Sequence, residues 1–202
     1  MGMYPVFRFS LIIMELFVAS NSIFSLIAFT CYFIATLSIL SRLFHPKGSN
    51  NILITLCASI AIISHFLAAS SFLFTSHMVN FSLPNVITLV SLLICLLTSI
   101  ASIKFKVKLL LPVIYGFSGL WQLALIFINP IANSMIINES LPVLIHISFA
   151  LSAYCILVIA TLFAMQVSYI STKLKDKNLQ VVHQLPPLMQ VERQLFVILI
   201  IG

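Results

Sequence analysis

Residues 51–75 read NILITLCASIAIISHFLAASSFLFT, twenty-five positions without one Asp, Glu, Lys or Arg. A helix of about 20 apolar residues crosses the hydrocarbon core of a bilayer, and this stretch is long enough to do so. The rest of the chain has the same character. Its 202 residues are 61% hydrophobic and 7% charged, with a mean hydropathy of +1.19, whereas soluble domains carry about 25% charged residues. Ten basic and four acidic residues give a net charge of +6. They are too thinly spread for a nucleic-acid-binding patch, and the apolar content excludes disorder.

Working outward from residues 51–75, Arg42, His45, Pro46, Lys47 and Gly48 close the run before it. That earlier run, Phe9 to Leu40, is too long for one upright helix and is divided by Glu15 and Asn21. Residues 1–21 are therefore expected to be a leader, with Met14 a second candidate start, and Ser22 to Ser41 the first span. The second span is Asn51 to Thr75, the third Leu83 to Ile103, the fourth Leu109 to Ile128 and the fifth Leu141 to Ser168. Pro84, Pro112 and Pro142 fall in first turns, where the missing N–H has no helical partner to lose. After a polar connector, a sixth apolar run, Gln194 to Gly202, is too short for a core roughly 30 Å thick. The expected fold is an all-α, polytopic transmembrane bundle of five complete spans plus the start of a sixth. The expected domain is 22–202, C-terminally incomplete, with a connector at 172–193.

Basic residues set the expected orientation. Arg42 and Lys47, then Lys104, Lys106 and Lys108, then Lys173, Lys175, Lys177 and Arg193 fall in alternate loops. The positive-inside rule puts these loops in the cytoplasm and the N-terminus outside. The loop between spans two and three has no basic residue, and the loop between spans four and five carries only Glu139.

Chemistry-bearing residues are few. Cys31, Cys57, Cys95 and Cys155 lie singly in different spans with no zinc-like spacing, and cysteine in an apolar helix usually fills space. Glu15, Glu139, Asp176 and Glu192 all lie at edges or in loops, unlike the carboxylates of proton-coupled transporters. No phosphate loop, nucleophile elbow or HExxH motif is present, and a non-enzymatic protein is expected. His45 and His183 fall in loops and His77 at a span end.

His65 and His146 are the histidines inside spans, and an ionisable residue there is a functional candidate. His65 lies about 21 Å along span two and His146 about 8 Å along span five, at 1.5 Å per residue. With the expected orientation both fall in the outer half of the bilayer. Ala58, Ala61 and Ala69 share the side of His65, and Ala150, Ala153, Ala160 and Ala164 share that of His146. Small residues admit a close helix or a flat ligand. Neutral imidazole ligates metals and haem iron, but it also serves as a packing group bonded to Ser or backbone. Spacing leaves both readings open. Tyr154, two turns beyond His146, is a further candidate lining residue.

The run His146-Ile-Ser-Phe-Ala-Leu-Ser-Ala-Tyr154 resembles a helix of the cytochrome c assembly family, the CcsA/CcmC-like haem-handling membrane proteins. Leu83 to Cys95 is similar to the helix before it. Leu109 to Tyr115 and Leu185 to Arg193 resemble the YpjD-type inner-membrane subgroup, and the likeness extends from about Ser22 to Gly202. The resemblance implies an eight-helix bacterial inner-membrane protein that binds or transfers haem and assists cytochrome c assembly. Its implied partners are the lipid bilayer, haem and other assembly proteins, with no nucleic acid. His146 matches an outward haem-ligand histidine of the family and His65 a second-helix histidine of the subgroup. Both are candidate ligands of haem iron. The family's Trp-rich, Asp-containing outward motif does not occur after span five. The competing readings are a transporter or transport-associated protein without haem, and a regulatory scaffold that uses the connector.

Overall fold

A computed structural model describes residues 5–44, 51–75, 78–104, 110–128, 136–137, 141–175 and 188–201, with side chains of the first helix described from residue 22. His45, His77, His183, Glu139 and connector residues 176–187 lie outside the described residues. The helices are α1 (Pro5–Phe44), α2 (Asn51–Leu73), α3 (Leu83–Lys104), α4 (Leu111–Phe127), α5 (Leu141–Lys175) and α6 (Leu188–Ile201). The architecture is an all-α membrane bundle.

Four helices contain spans long and apolar enough to cross a bilayer: Ser22–Ser41, Ile52–Ser71, Leu83–Ile103 and Pro142–Thr172. All four lie within a few residues of the sequence reading. The fourth predicted span is shorter than expected, because α4 has 17 residues. Its rise of about 26 Å is at the short end for a crossing helix. The three prolines expected in first turns each stand second in their helix, at Pro84, Pro112 and Pro142.

Three boundaries differ from expectation. Glu15 and Asn21 do not interrupt α1, which runs unbroken for 40 residues. A single polar residue costs a helix well under 1 kcal/mol, so hydropathy divides the run while the backbone continues. At the other end α5 extends through Thr172 to Lys175, and α6 begins at Leu188, taking Glu192 and Arg193 into its first turns. Thus both ends of the predicted connector are helical.

α1 packs on α2 and α4, α3 packs on α2, α4 and α5, and α5 packs on α6. The α1–α4 pairing is a close approach: a Cβ added at Gly119 of α4 would lie 3.3 Å from the Cβ of Tyr32 on α1. The main core joins Tyr32 and Ala35 of α1, Ala58 and Ala61 of α2, Cys95 of α3 and Tyr115 of α4. The large residues turned outward, such as Ile63, Phe66, Phe117 and Leu120, match a lipid solvent. Helical hydroxyls satisfy themselves on the preceding turn, as Ser70 does on the Leu67 carbonyl and Ser148 on that of Leu144. Hydrocarbon offers no water to do so.

One feature of the fold has no periodic signature in the sequence. Strands β1 (Phe74–Thr75), β2 (Met78–Asn80) and β3 (Ile136–Ile137) form an antiparallel sheet in the order β1-β2-β3. Phe74 pairs with Val79, and Val79 with Ile137. The sheet ties the α2–α3 connection to the α4–α5 connection, so one end of the bundle is fastened by backbone bonds.

Candidate functional site

The sheet-side half of the α1–α4 interior is polar. Ser25, Ser64, His65, Asn85, Thr88, Ser91, Ser118 and Gln122 are all buried there. Each stands on a helix face that the 100° turn per residue also aims at the core. His65 aligns with Ala58, Ala61 and Ala69 on α2, which are all buried. On α4, Ser118 lies one turn from Gln122.

His65 is at the centre and is 0% exposed. Its Nδ1 lies 3.2 Å from the Tyr32 hydroxyl, and the two rings meet edge to face at 88°. Its Nε2 lies 3.4 Å from Ser91 Oγ, beyond the usual range for an N–H···O bond and therefore weak. The Ser91 hydroxyl donates to the Thr88 carbonyl at 2.9 Å. The Tyr32 ring lies beside Tyr115, with centroids 5.5 Å apart, and the Tyr115 hydroxyl is 2.8 Å from Ser99 Oγ. Trp121 Nε1 donates to Thr88 Oγ1 at 2.9 Å, fixing α4 to α3. Cys95 Sγ is 3.0 Å from Ser118 Oγ. Cys95, read from sequence as a small filler, is thus one link of a polar cluster.

A groove of about 260 Å³ opens between α4 and α5 over α3. Val113 and Phe117 form one side, Val158 and Leu162 the other, and Ser91 and Ser118 are its polar lining. His65 Nε2 therefore points at a hydroxyl that itself lines the groove. A larger depression, about 430 Å³, is an open surface of α5 around Ser148 and Ser152 and includes neither histidine in its lining.

His146 is placed differently. It lies near the start of α5 and is exposed, with no hydrogen-bond partner among the described residues. α3 packs against both α2 and α5, so the two histidines stand on helices that flank a third. Of the alanines aligned with His146, Ala160 is buried while Ala153 and Ala164 are exposed. Tyr154 is 64% exposed and stands apart from the polar cluster.

Sequence reasoning did not find Tyr32, Ser91, Cys95 and Ser118 as site residues. Tyr32 and Ser91 are 33 and 26 positions from His65, and nothing local marks them. The one usable signal was a tyrosine and several hydroxyls on faces otherwise filled by alanine. Among the described residues no three of His, Cys, Asp and Glu gather as the ligands of a bare metal ion. A cofactor that brings its own donors to iron needs only one or two protein ligands.

The family described as cytochrome C assembly protein matches residues 53–202, a stretch that includes both His65 and His146. The chain is 35% identical over 184 residues to the inner membrane protein YpjD of Escherichia coli strain K12, covering 89% of this chain and 69% of that protein. The same figures hold for the YpjD proteins of the O6:H1 and O157:H7 strains. No solved structure matches the chain.

Proposed function

This chain belongs to the cytochrome c assembly protein family, and from that premise we propose that it is a non-enzymatic haem-handling protein that assists cytochrome c assembly. Its place is a bacterial inner membrane, supported by the relatives' printed name and the apolar helices. The loops bearing Lys and Arg face the cytoplasm, and the sheet faces outward.

The observation that carries the haem reading is the setting of His65. One ring nitrogen is held by Tyr32, and the other points at a groove-lining serine through a long contact. Ligating histidines characteristically have their second nitrogen fixed by a partner that orients the ring. The 3.4 Å separation from Ser91 is loose enough to be given up for a stronger bond. What supports haem is a buried imidazole one hydroxyl behind a groove walled by Val, Ile, Phe and Leu, with no carboxylate among the groove residues. Bound haem would supply an iron atom able to bond an imidazole nitrogen. His65 is the ligand assigned here, through Nε2. His146 is the second candidate ligand, exposed on α5. Tyr32 orients the ring, and the apolar groove walls keep water from it.

The test is haem content. The full chain, purified in detergent from cells supplied with haem, is expected to show a Soret band that His65→Ala abolishes or strongly reduces. Folded, helical protein without that band would contradict the proposal and return attention to transport through the polar interior.

A further inference from the structure

Hydrocarbon gives a polar side chain nothing to bond to, and buried polar groups in folded proteins are almost always bonded, to protein or to ordered water. Two glutamines of the α5–α6 pair stand against that rule. Gln166 on α5 and Gln194 on α6 are each 5% exposed. Neither Nε2 nor Oε1 of Gln166 has a hydrogen-bond partner among the described residues, and Oε1 of Gln194 has none either. Both side chains lie within an apolar seam. Over the C-terminal half of α5 the buried face carries Phe163, Gln166 and Ile170, and α6 buries Val191 and Gln194, steps of three and four that keep to one helix face. α6 packs on α5. Phe163, Ile170 and Val191 belong to one core cluster, with Leu188, Leu195 and Ile198 partly buried against it. The heights of the two amides agree as well. Residues 176–187 join the end of α5 to the start of α6. Gln166 is nine residues before Lys175 and Gln194 six after Leu188, about 14 Å and about 9 Å along their helices. The difference, about 5 Å, is less than one turn.

We propose that Gln166 and Gln194 form a polar site between α5 and α6 that holds a water molecule, which bonds both carboxamides and latches α6 to α5. A buried water makes about three hydrogen bonds, and three unmet atoms are present, one donor and two acceptors. The carbonyl and one N–H of a carboxamide lie on the same side, so a single water can close a ring with both. It donates one hydrogen to Gln166 Oε1, accepts from Gln166 Nε2, and donates its second hydrogen to Gln194 Oε1. All three unmet atoms are then satisfied without any charge entering the membrane. Apolar side chains between helices in lipid give little preference for one rotation over another, because the lipid is as apolar as they are. The bridge supplies that preference: α6 turned by a single residue about its axis would lose it. The site is independent of the haem reading and shares no residue with the His65 cluster.

The experiment is nitrogen-15 NMR of the full chain labelled at glutamine, in detergent, with Gln166→Met and Gln194→Met identifying the two side-chain amide signals. The Gln166 amide of the wild type is expected to show a through-space contact to a water of long residence, and that contact should weaken in Gln194→Met. A contact running directly between the two amides with no water at either would overturn the proposal, as would a Gln166 amide that meets only carbon-bound hydrogens. Thermal unfolding of the same proteins tests the latch. Methionine matches glutamine in length but carries no amide, so each single substitution strands the other carboxamide in an apolar seam. Each should therefore lower the unfolding temperature, and the double variant, which leaves no amide bare, should unfold above either single. A double variant that unfolds below both singles would show two independent sites and contradict the shared one. Single variants as stable as wild type would contradict it too.

Discussion

His65 and His146 have the same written surroundings. Each is the one histidine of an apolar helix, and each is aligned with alanines at helical spacing. In the folded chain they diverge: Ala58, Ala61 and Ala69 are buried with His65 at the meeting of four helices, whereas His146 and Ala153 are exposed on α5. The reason lies in the partners. α2 packs on α1 and α3, while α5 makes its contacts with α3 and α6, and the buried residues of α5 begin at Cys155. A stripe of small residues permits close approach but does not say which helix approaches.

The largest effect that would break this comparison is at the histidines themselves. His65→Ala removes a fully buried ring and strands Tyr32 and Ser91. It should cost about 3 kcal/mol of stability, in the range for large-to-small core changes, while His146→Ala should stay within about 0.5 kcal/mol, as exposed substitutions do. Thermal unfolding in matched detergent would read both, and equal losses would erase the distinction. The alanine stripes give the next test. Ala61→Leu should overpack the α1–α2 contact and cost about 2 kcal/mol, whereas Ala153→Leu should be near neutral. A tyrosine pair sharpens it further: Tyr32→Phe loses a buried bond of about 1 kcal/mol, while Tyr154→Phe should be silent. The smallest expected effect has the opposite sign. Gln122 is fully buried, and neither its Nε2 nor its Oε1 has a described partner, so Gln122→Leu should raise stability by up to about 1 kcal/mol. A loss there instead would mean that the amide holds something in the polar interior.

Much of the fold was legible because hydropathy and proline are read locally. The edges of Ser22–Ser41 and Leu83–Ile103 fell where charge or proline put them. The β-sheet was not legible: strands of two or three residues are too short to show a period of two. Nor was the continuity of α1, since Glu15 and Asn21 lower hydropathy without breaking a helix. At the site, His65 was legible as a lone imidazole in a run without charges. Its partners were not, because the meeting of Tyr32, Ser91 and Cys95 depends on the rotation of three helices about their axes. Residues from α1 and α3 share that site because both helices pack on α2.

The central proposal is that His65, the interior histidine, is the principal haem ligand and His146 the secondary one. The most direct measurement is the reduced-minus-oxidised absorption spectrum of His65→Ala beside His146→Ala, both normalised to folded wild type. The account predicts that the α and β bands disappear in His65→Ala and largely survive in His146→Ala. Bands that persist without His65 and vanish without His146 would contradict it and move the haem to the open face of α5.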